Sequence, residues 1–296
     1  MIPLDELLTA CYFTNPVMLI GCLLGVGLFI GTLAGLFGVG GGFLTVPILE
    51  SLFGFNFTIS VGSNLASTAG MSAAGAARHG KLGNVEPRTM ILLSLGAVPG
   101  ALLGTEIHQW FYDLAGDGFR QLMRGMFVAL MLAVAWLVWK GPKQIAGGKS
   151  PLQRLAIGPY VDLPRAGILG VSLPGMIAMG LGVGILVGLM GVGGGVLFMP
   201  LLVMFVGMSV HQAVGTSLGV ALCSTVVAVV RYGFNDQVSL WIALSILTGS
   251  AVGVQFGSWL CIRSHARRIR RYFALLVLVA AAMLAVRIAC SAVSAQ

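Results

Sequence analysis

The chain has 296 residues, 57% hydrophobic and 9% charged, with a formal net charge of +8 and a mean hydropathy of +0.98. A soluble domain carries about 25% charged residues, so this composition cannot cover a water-facing surface and describes a polytopic membrane protein. The positive balance fits cations in loops that orient such a protein. It does not fit nucleic acid, because no basic stripe interleaved with aromatics is present.

Apolar runs at 17–37, 43–57, 60–77, 89–109 and 121–139 predict five helical segments. Runs at 167–190, 196–208, 210–230, 238–260 and 272–290 predict five more. Several approach the roughly 20 residues a membrane helix needs. The runs at 43–57 and 196–208 are too short to span comfortably and read as half-helices after a break. Residues 140–165 hold Lys140, Lys143, Lys149, Arg154 and Arg165 among Pro and Gly, a solvated linker rather than a domain. The expected division is a first transmembrane repeat at 1–139, the linker at 140–165 and a second repeat at 166–296. Asp5 and Glu6, with no Lys or Arg before the first apolar run, are unlike the basic start of a signal peptide. Cys11, Cys22, Cys223, Cys261 and Cys290 form no CxxC pair, so neither a disulfide framework nor a zinc site is expected.

The division rests on a repeated string. Gly35-Leu-Phe-Gly-Val-Gly-Gly-Gly-Phe-Leu-Thr-Val-Pro47 returns 153 positions later as Gly188-Leu-Met-Gly-Val-Gly-Gly-Gly-Val-Leu-Phe-Met-Pro200. The register continues: Gly62-Ser63-Asn64-Leu65 answers Gly215-Thr216-Ser217-Leu218, and Arg78 answers Arg231. Gly27, Gly31 and Gly35 match Gly180, Gly184 and Gly188, while Gly96, Gly100 and Gly104 match Gly249, Gly253 and Gly257. Glycines four apart share a helix face and make a groove for a neighbouring helix.

Lys and Arg set the expected orientation. Loops 78–88 and 261–271 and the linker are basic and predict the cytoplasmic side. Loop 232–237, with Asp236, and loop 110–119, with Asp113 and Asp117, predict the outer side. Because 78–88 and its counterpart 232–237 fall on opposite sides, the halves are expected to be inverted repeats with both termini non-cytoplasmic. Five crossings per half satisfy that parity, and so do three crossings with a re-entrant pair. The expected fold is an all-α transmembrane bundle of two inverted repeats, about five helical segments each, with Gly-rich breaks.

The breaks Gly38-Val-Gly-Gly-Gly42 and Gly191-Val-Gly-Gly-Gly195 are the strongest site signal. Three consecutive glycines tolerate positive φ, and consecutive amides can then face one concavity as an anion nest. The helix that follows presents unpaired N–H groups and a positive dipole end. Irregular backbone at membrane depth survives where it is buried in protein or lines a cavity. The string lies between apolar runs with no strand before it, so it is not a dinucleotide fingerprint. Its structural alternative is a helix kink for close packing.

Ser63, Asn64, Ser67 and Thr68, with Thr216 and Ser217 in the second half, form a second polar cluster. Such side chains either cap a helix or donate to an oxyanion. Arg78 and Arg231 end the third segment of each half; they either snorkel to the interface or guard the two mouths of a pathway. Glu50, matched by Val203, reads as an interfacial end residue or a proton carrier. Glu106 and His108 read as solvated outer residues, and His79, His211 and His265 as residues in or near loops. Cys223 reads as a small packed residue that a sulfur substrate could meet.

The doubled Gly-Val-Gly-Gly-Gly break, the Gly-Thr-Ser-Leu string at 215–218 and the repeated half resemble the TauE/SafE sulfite exporter family, from about residue 17 to 290. The resemblance implies transport of a small sulfur-containing anion, such as sulfite or a sulfonate, across the bacterial cytoplasmic (inner) membrane. It places candidate substrate contacts at Gly40, Gly41, Gly42, Ser63, Asn64, Gly193, Gly194, Gly195, Thr216 and Ser217; Ser67 joins them from the polar cluster. Amide nests and hydroxyls suit a sulfur oxyanion, whereas a charge buried mid-membrane costs at least ~2.5–3.5 kcal/mol. No cofactor is called for, and no P-loop is present to bind ATP. The expected activity is alternating-access export driven by an ion gradient, with a proton or sodium as coupling ion; a passive anion channel and an uptake carrier are the alternatives. An enzyme is not expected, since no nucleophile–base pair falls within the spans.

Overall fold

A computed structural model describes residues 15–140, 150–155 and 157–293, except the side chains of 113, 115–117, 119, 120, 140, 266–268, 270 and 287–293. The expectations for Asp5, Glu6, Cys11, Lys143 and Lys149 lie outside these residues. Helix α1 (Pro16–Phe37) starts where Asn15 accepts from the Val17 amide and Pro16 takes the first position. It ends at Gly38, whose φ of 72° is the left-handed cap that glycine adopts without strain. Its counterpart α6 (Leu173–Met190) is capped by Ser172 and ends at Gly191 with φ 66°.

Short helices follow both breaks: α2 (Gly42–Ser51) and α7 (Gly195–Leu201), the latter running into a π-turn at Leu202–Val206. Then come α3 (Phe57–Lys81) and α8 (Val210–Phe234), and next α4 (Pro87–Lys140) and α9 (Leu240–Arg263). The starts of α2 and α7, of α3 and α8, and of α4 and α9 keep the 153-residue register of the sequence (Gly42 to Gly195, Phe57 to Val210, Pro87 to Leu240). Helix α10 (Ala266–Val293) completes the bundle. Among the described residues, six apolar helical stretches are long enough to cross a membrane: Pro16–Phe37, Pro87–Tyr112, Gln121–Trp139, Leu173–Met190, Val210–Phe234 and Leu240–Arg263. The chain is thus an all-α polytopic bundle.

Two regions differ from expectation. The loop expected at 110–119 is helical, because α4 keeps helical backbone from Pro87 to Lys140. In the second half the same place is a break at Ser264 and His265. The linker, expected as solvated chain, carries a short helix α5 (Pro151–Arg154) and an antiparallel hairpin, β1 (Tyr160–Leu163) with β2 (Ile168–Ser172). The apolar residues 168–172 therefore belong to a strand and not to the head of a membrane helix. The hairpin is docked: Arg88 Nη1 donates to Asp162 O at 3.1 Å, Arg165 Nη1 to Val85 O at 3.4 Å, and Gln212 Nε2 to Arg165 O at 2.7 Å.

The glycine ladders explain how the halves interlock. Gly27, Gly31 and Gly35 of α1 lie on the backbone of Ile246, Ser250 and Val254 of α9 so closely that a Cβ would overlap it. Gly180, Gly184 and Gly188 of α6 lie in the same way on Leu93, Ala97 and Ala101 of α4. The partners keep the 153 register too, Leu93 answering Ile246. Gly96, Gly100 and Gly104, and their counterparts Gly249, Gly253 and Gly257, complete the interfaces from the other side. The first helix of each repeat therefore packs on the fourth segment of the other, a reciprocal exchange of the kind a two-fold relation produces. Outward-facing Phe29, Leu95, Leu244, Val252 and Phe256, each more than half exposed, form the apolar exterior.

Helices α3 and α8 pack antiparallel through the centre. Gly62 near the start of α3 lies on Gln237 just beyond α8, and Gly215 near the start of α8 lies on Asn84 just beyond α3. One rim of the bundle thus gathers Asn84, the hairpin, the start of α8 and the end of α9, where His211 Nε2 pairs with Cys261 O at 3.2 Å. The opposite rim gathers the start of α3, the end of α8 and the start of α9, with Gln109 accepting from Asn235 and Gln237 at 3.2 and 3.1 Å.

Candidate functional site: the junction of two glycine breaks

Each break repeats one backbone conformation. Gly38, Gly40 and Gly41 have φ of 72°, 64° and 78°; Gly191, Gly193 and Gly194 have 66°, 76° and 73°. Val39 and Val192 between them are fully buried. Only glycine adopts this run of positive φ without strain, so the string is required by shape. The two breaks meet: a Cβ built on Gly40 would come within 3.6 Å of Gly193 O, and one on Gly193 within 3.3 Å of Gly42 Cα. Among the described residues no acceptor bonds the amides of Gly40, Gly41, Gly193 or Gly194, whereas Gly41 O and Gly194 O close the first turns of α2 and α7.

The polar cluster crosses over between repeats. Asn64 Nδ2 donates to Gly191 O at 2.5 Å and to Gly42 O at 3.2 Å. Ser217 Oγ donates to Gly38 O at 2.7 Å. These are matched contacts, since Asn64 answers Ser217 and Gly191 answers Gly38. Each cap carbonyl is thereby satisfied by the other half, as buried backbone demands. Ser63 and Thr216 act at a distance from the breaks: Ser239 N donates to Ser63 Oγ at 2.9 Å and Glu86 N to Thr216 Oγ1 at 3.0 Å. They tie the start of α9 to α3 and the start of α4 to α8. Ser67 Oγ donates to Asn64 O at 2.9 Å, within its own helix.

The residues left facing the junction are Thr68 and Ser72. Both their side chains stand 2.9 Å from a Cβ placed on Gly40, and Thr68 stands at the same distance from one on Gly193. Thr68 Oγ1 donates to Asn64 Oδ1 at 3.1 Å. Ser72 Oγ is buried with no hydrogen-bond partner among the described residues. An unmade bond on a buried hydroxyl costs about 1–3 kcal/mol, so Ser72 carries a donor that the described residues leave unused. Asn64, Thr68 and Ser72 are four apart and share a helix face; that spacing was in the sequence, and Ser72 is the member that sequence reasoning missed. The second repeat has Ser217, Ala221 and Thr225 there, and Thr225 Oγ1 is spent on Ala221 O at 2.7 Å. The free hydroxyl therefore belongs to the first repeat alone. The junction offers amide and hydroxyl donors without a formal charge, and every residue in it is closed to solvent in this conformation.

The other expected residues are distributed around this centre. Arg231 makes a two-pronged pair with Glu106 of α4 at 2.5 and 3.0 Å, both side chains over one-third exposed. Arg78 is half-buried at the end of α3, with Nε unbonded among the described residues. Three readings need correction. His108 is buried, with Nδ1 2.8 Å from Leu189 O, and is not a solvated outer residue. His79 is also buried, on α3, with Nε2 3.0 Å from Gly35 O. Its counterpart Tyr232 donates to Gly188 O, also at 3.0 Å. Both brace the last carbonyls of a helix that ends at a break. Glu50 is 1% exposed and ion-paired with Arg124, so it is not an interfacial end residue. Cys223 is half-buried on α8 with a free thiol.

A bundle of membrane-length helices around a polar junction of broken helices has the build of an integral membrane transporter. Residues 23–284 match the family "Sulfite exporter TauE/SafE", and the chain belongs to that family of membrane transporters. It is 28% identical over 255 residues to the probable membrane transporter protein YjnA of Bacillus subtilis, covering 86% of this chain and 95% of that one. A probable membrane transporter protein of Xylella fastidiosa is 27% identical over 261 residues, 87% of this chain and 92% of its own. Protein MJ0441 of Methanocaldococcus jannaschii, also named a probable membrane transporter, is 26% identical over 258 residues, 80% and 86% of the two chains. No solved structure matches the chain.

Proposed function

We propose that the protein is a secondary carrier of a small sulfur-containing anion, sulfite or an organosulfonate such as sulfoacetate, and that it works as an exporter by alternating access. The observation that carries this reading is the junction of Gly40 and Gly193, where amides and a Ser72 hydroxyl without partners among the described residues come together. Such a site receives three oxygens around sulfur through hydrogen bonds and lets the ion go, because no fixed cation holds it. Discontinuous helices whose N-termini point at an anion between two repeats are a recurrent carrier arrangement. Burial of the whole junction favours an occluded carrier over an open channel.

The carrier's halves are inverted repeats on this reading. Antiparallel α3 and α8 support it, because equivalent helices that run in opposite directions across a bilayer require a two-fold axis in its plane. The rim with Arg88, Arg154, Arg165 and Arg263 is then cytoplasmic by the positive-inside rule, and α1 begins on the outer side.

The test is counterflow of labelled sulfite in proteoliposomes against sulfite, sulfoacetate, thiosulfate, sulfate and chloride. Saturable exchange competed by one sulfur anion is expected. Linear, non-competed flux would make the protein a channel, and exchange competed by chloride alone would remove the sulfur-anion class.

A further inference from the structure

The first repeat carries a buried ion pair that the second does without. Glu50, in the last turn of α2, pairs with Arg124 of α4; their side chains are 1% and 19% exposed. The equivalent positions are Val203 and Val277, the latter fully buried. The same 153-residue offset thus carries no charge in the second half. A buried ion pair is commonly no more stabilising than apolar residues of similar size, so packing does not explain the charges. An ionisable residue inside a membrane protein points to function in its own right.

The surroundings define what Glu50 can do. It stands among Leu49, Phe53 and Phe55, all 2% exposed or less. The elements packed around α2 carry no charge in 16–37, 57–77 or 195–206; α3 ends with Arg78, His79 and Lys81, and α10 carries Arg267, Arg268, Arg270, Arg271 and Arg287, of which the described Arg271 side chain is exposed, as is that of Tyr272. Arg124 of α4 is a charge that pairs with the carboxylate. Glu50 also stands on the helix that the first break begins, about 12 Å from Gly42 at 1.5 Å per residue. Whatever moves Glu50 relative to Arg124 moves α2 relative to α4, and with it the amides of the first break.

We propose that Glu50 and Arg124 form a proton site on the first repeat, through which proton binding is coupled to the anion cycle. The proton adds to a Glu50 carboxylate oxygen, giving a neutral acid, and no other bond forms or breaks. The neutral acid no longer holds the Arg124 guanidinium by charge, which loosens this tie between α2 and α4. The inference rests on the carrier reading above and gives that carrier its coupling ion.

Two measurements test it. In the first, purified protein is titrated and its carboxyl C=O infrared band followed, with no substrate present; a titrating band is expected in the wild type and absent in Glu50→Gln. In the second, labelled sulfite is followed in proteoliposomes at zero membrane potential under a one-unit pH gradient. At one proton per anion the wild type accumulates sulfite up to about tenfold. The double variant E50V/R124V, which copies the second repeat, is expected to fold and to exchange sulfite with no response to the gradient. A gradient response in E50V/R124V equal to wild type, or an infrared band unchanged in Glu50→Gln, overturns the proposal. Wild-type sulfite exchange that ignores the pH gradient overturns the coupling and leaves the carrier standing. Absence of any exchange, with the titrating band present, removes the carrier reading and leaves Glu50 as a proton site.

Discussion

The two halves share a scaffold and differ in chemistry. Glycine ladders, positive-φ breaks and the crossed contacts of Asn64 and Ser217 repeat at one fixed offset. Side chains around them do not: at the same offset Thr68 is matched by Ala221, His79 by Tyr232, Glu50 by Val203, Arg124 by Val277 and Glu106 by Trp259. Close backbone approach is a constraint that both copies must meet, so it is duplicated. Polar function needs one copy of each group, so those positions are free to diverge. The first repeat holds most of the polar chemistry at the centre, and the second supplies the complementary shape.

The ladders give the largest effect. Gly184→Val and Gly31→Val each force a side chain into a neighbouring backbone, where overpacking costs typically about 1–3 kcal/mol and more if the backbone cannot give. Both are expected to abolish a monodisperse peak in detergent size-exclusion chromatography. A wild-type profile for one of them would break the equivalence of the two interfaces. The braces come next. Asn64→Ala strips a donor from two buried carbonyls, whereas Ser217→Ala strips one that Ser217 also shares with its own helix at 2.9 Å. Losses of about 2–3 and about 1 kcal/mol are expected, at roughly 1 to 3 per unsatisfied buried group. Thermal unfolding of the two variants checks the order; equal losses would mean that the crossed bonds are interchangeable.

Much of this was legible in the sequence, for definite reasons. The repeat register survives because close packing tolerates nothing but glycine at Gly27, Gly31 and Gly35. The breaks could be read because positive φ has the same requirement. The hairpin could not: its strands have four and five residues, and Ile168-Leu-Gly-Val-Ser172 continues into the apolar α6 without a polar gap. Nor could the roles of Ser63 and Asn64 be separated, since neighbouring residues on a helix face different directions. Ser63 meets the start of α9 while Asn64 meets the opposite break, and composition treats them alike. Glu50 and Arg124 lie 74 positions apart, and nothing local joins them; what hinted at a role was the unmatched Val203.

Function and stability should separate at the junction. Ser72→Ala removes a hydroxyl with no partner in the described residues, so stability is expected to hold or rise slightly. Sulfite exchange is expected to fall about tenfold, the worth of one hydrogen bond of roughly 1.4 kcal/mol to the anion. Thr225→Val, at the equivalent place, is expected to leave exchange near wild type, because its hydroxyl is committed to Ala221 O. Initial exchange rates of the two variants decide it. Equal losses would make the site symmetric and move it onto both repeats.

The mildest change concerns the rims. Arg231 is held by Glu106, and both are open to the surroundings, while in the second half Trp259 stands at the offset of Glu106 and lies under Arg263. Exposed pairs of this kind contribute little to stability, so Glu106→Gln is expected to leave the melting temperature unchanged. Its effect should lie in the traffic of anions: releasing Arg231 from its partner leaves an unpaired cation at that rim of the bundle. Steering by an exposed charge is screened by salt. Exchange by Glu106→Gln should therefore show a larger drop in apparent KM between high and low ionic strength than wild type, at constant maximal rate. An unchanged salt dependence would mean that Arg231 is an interfacial anchor and that its pairing with Glu106 has no part in transport.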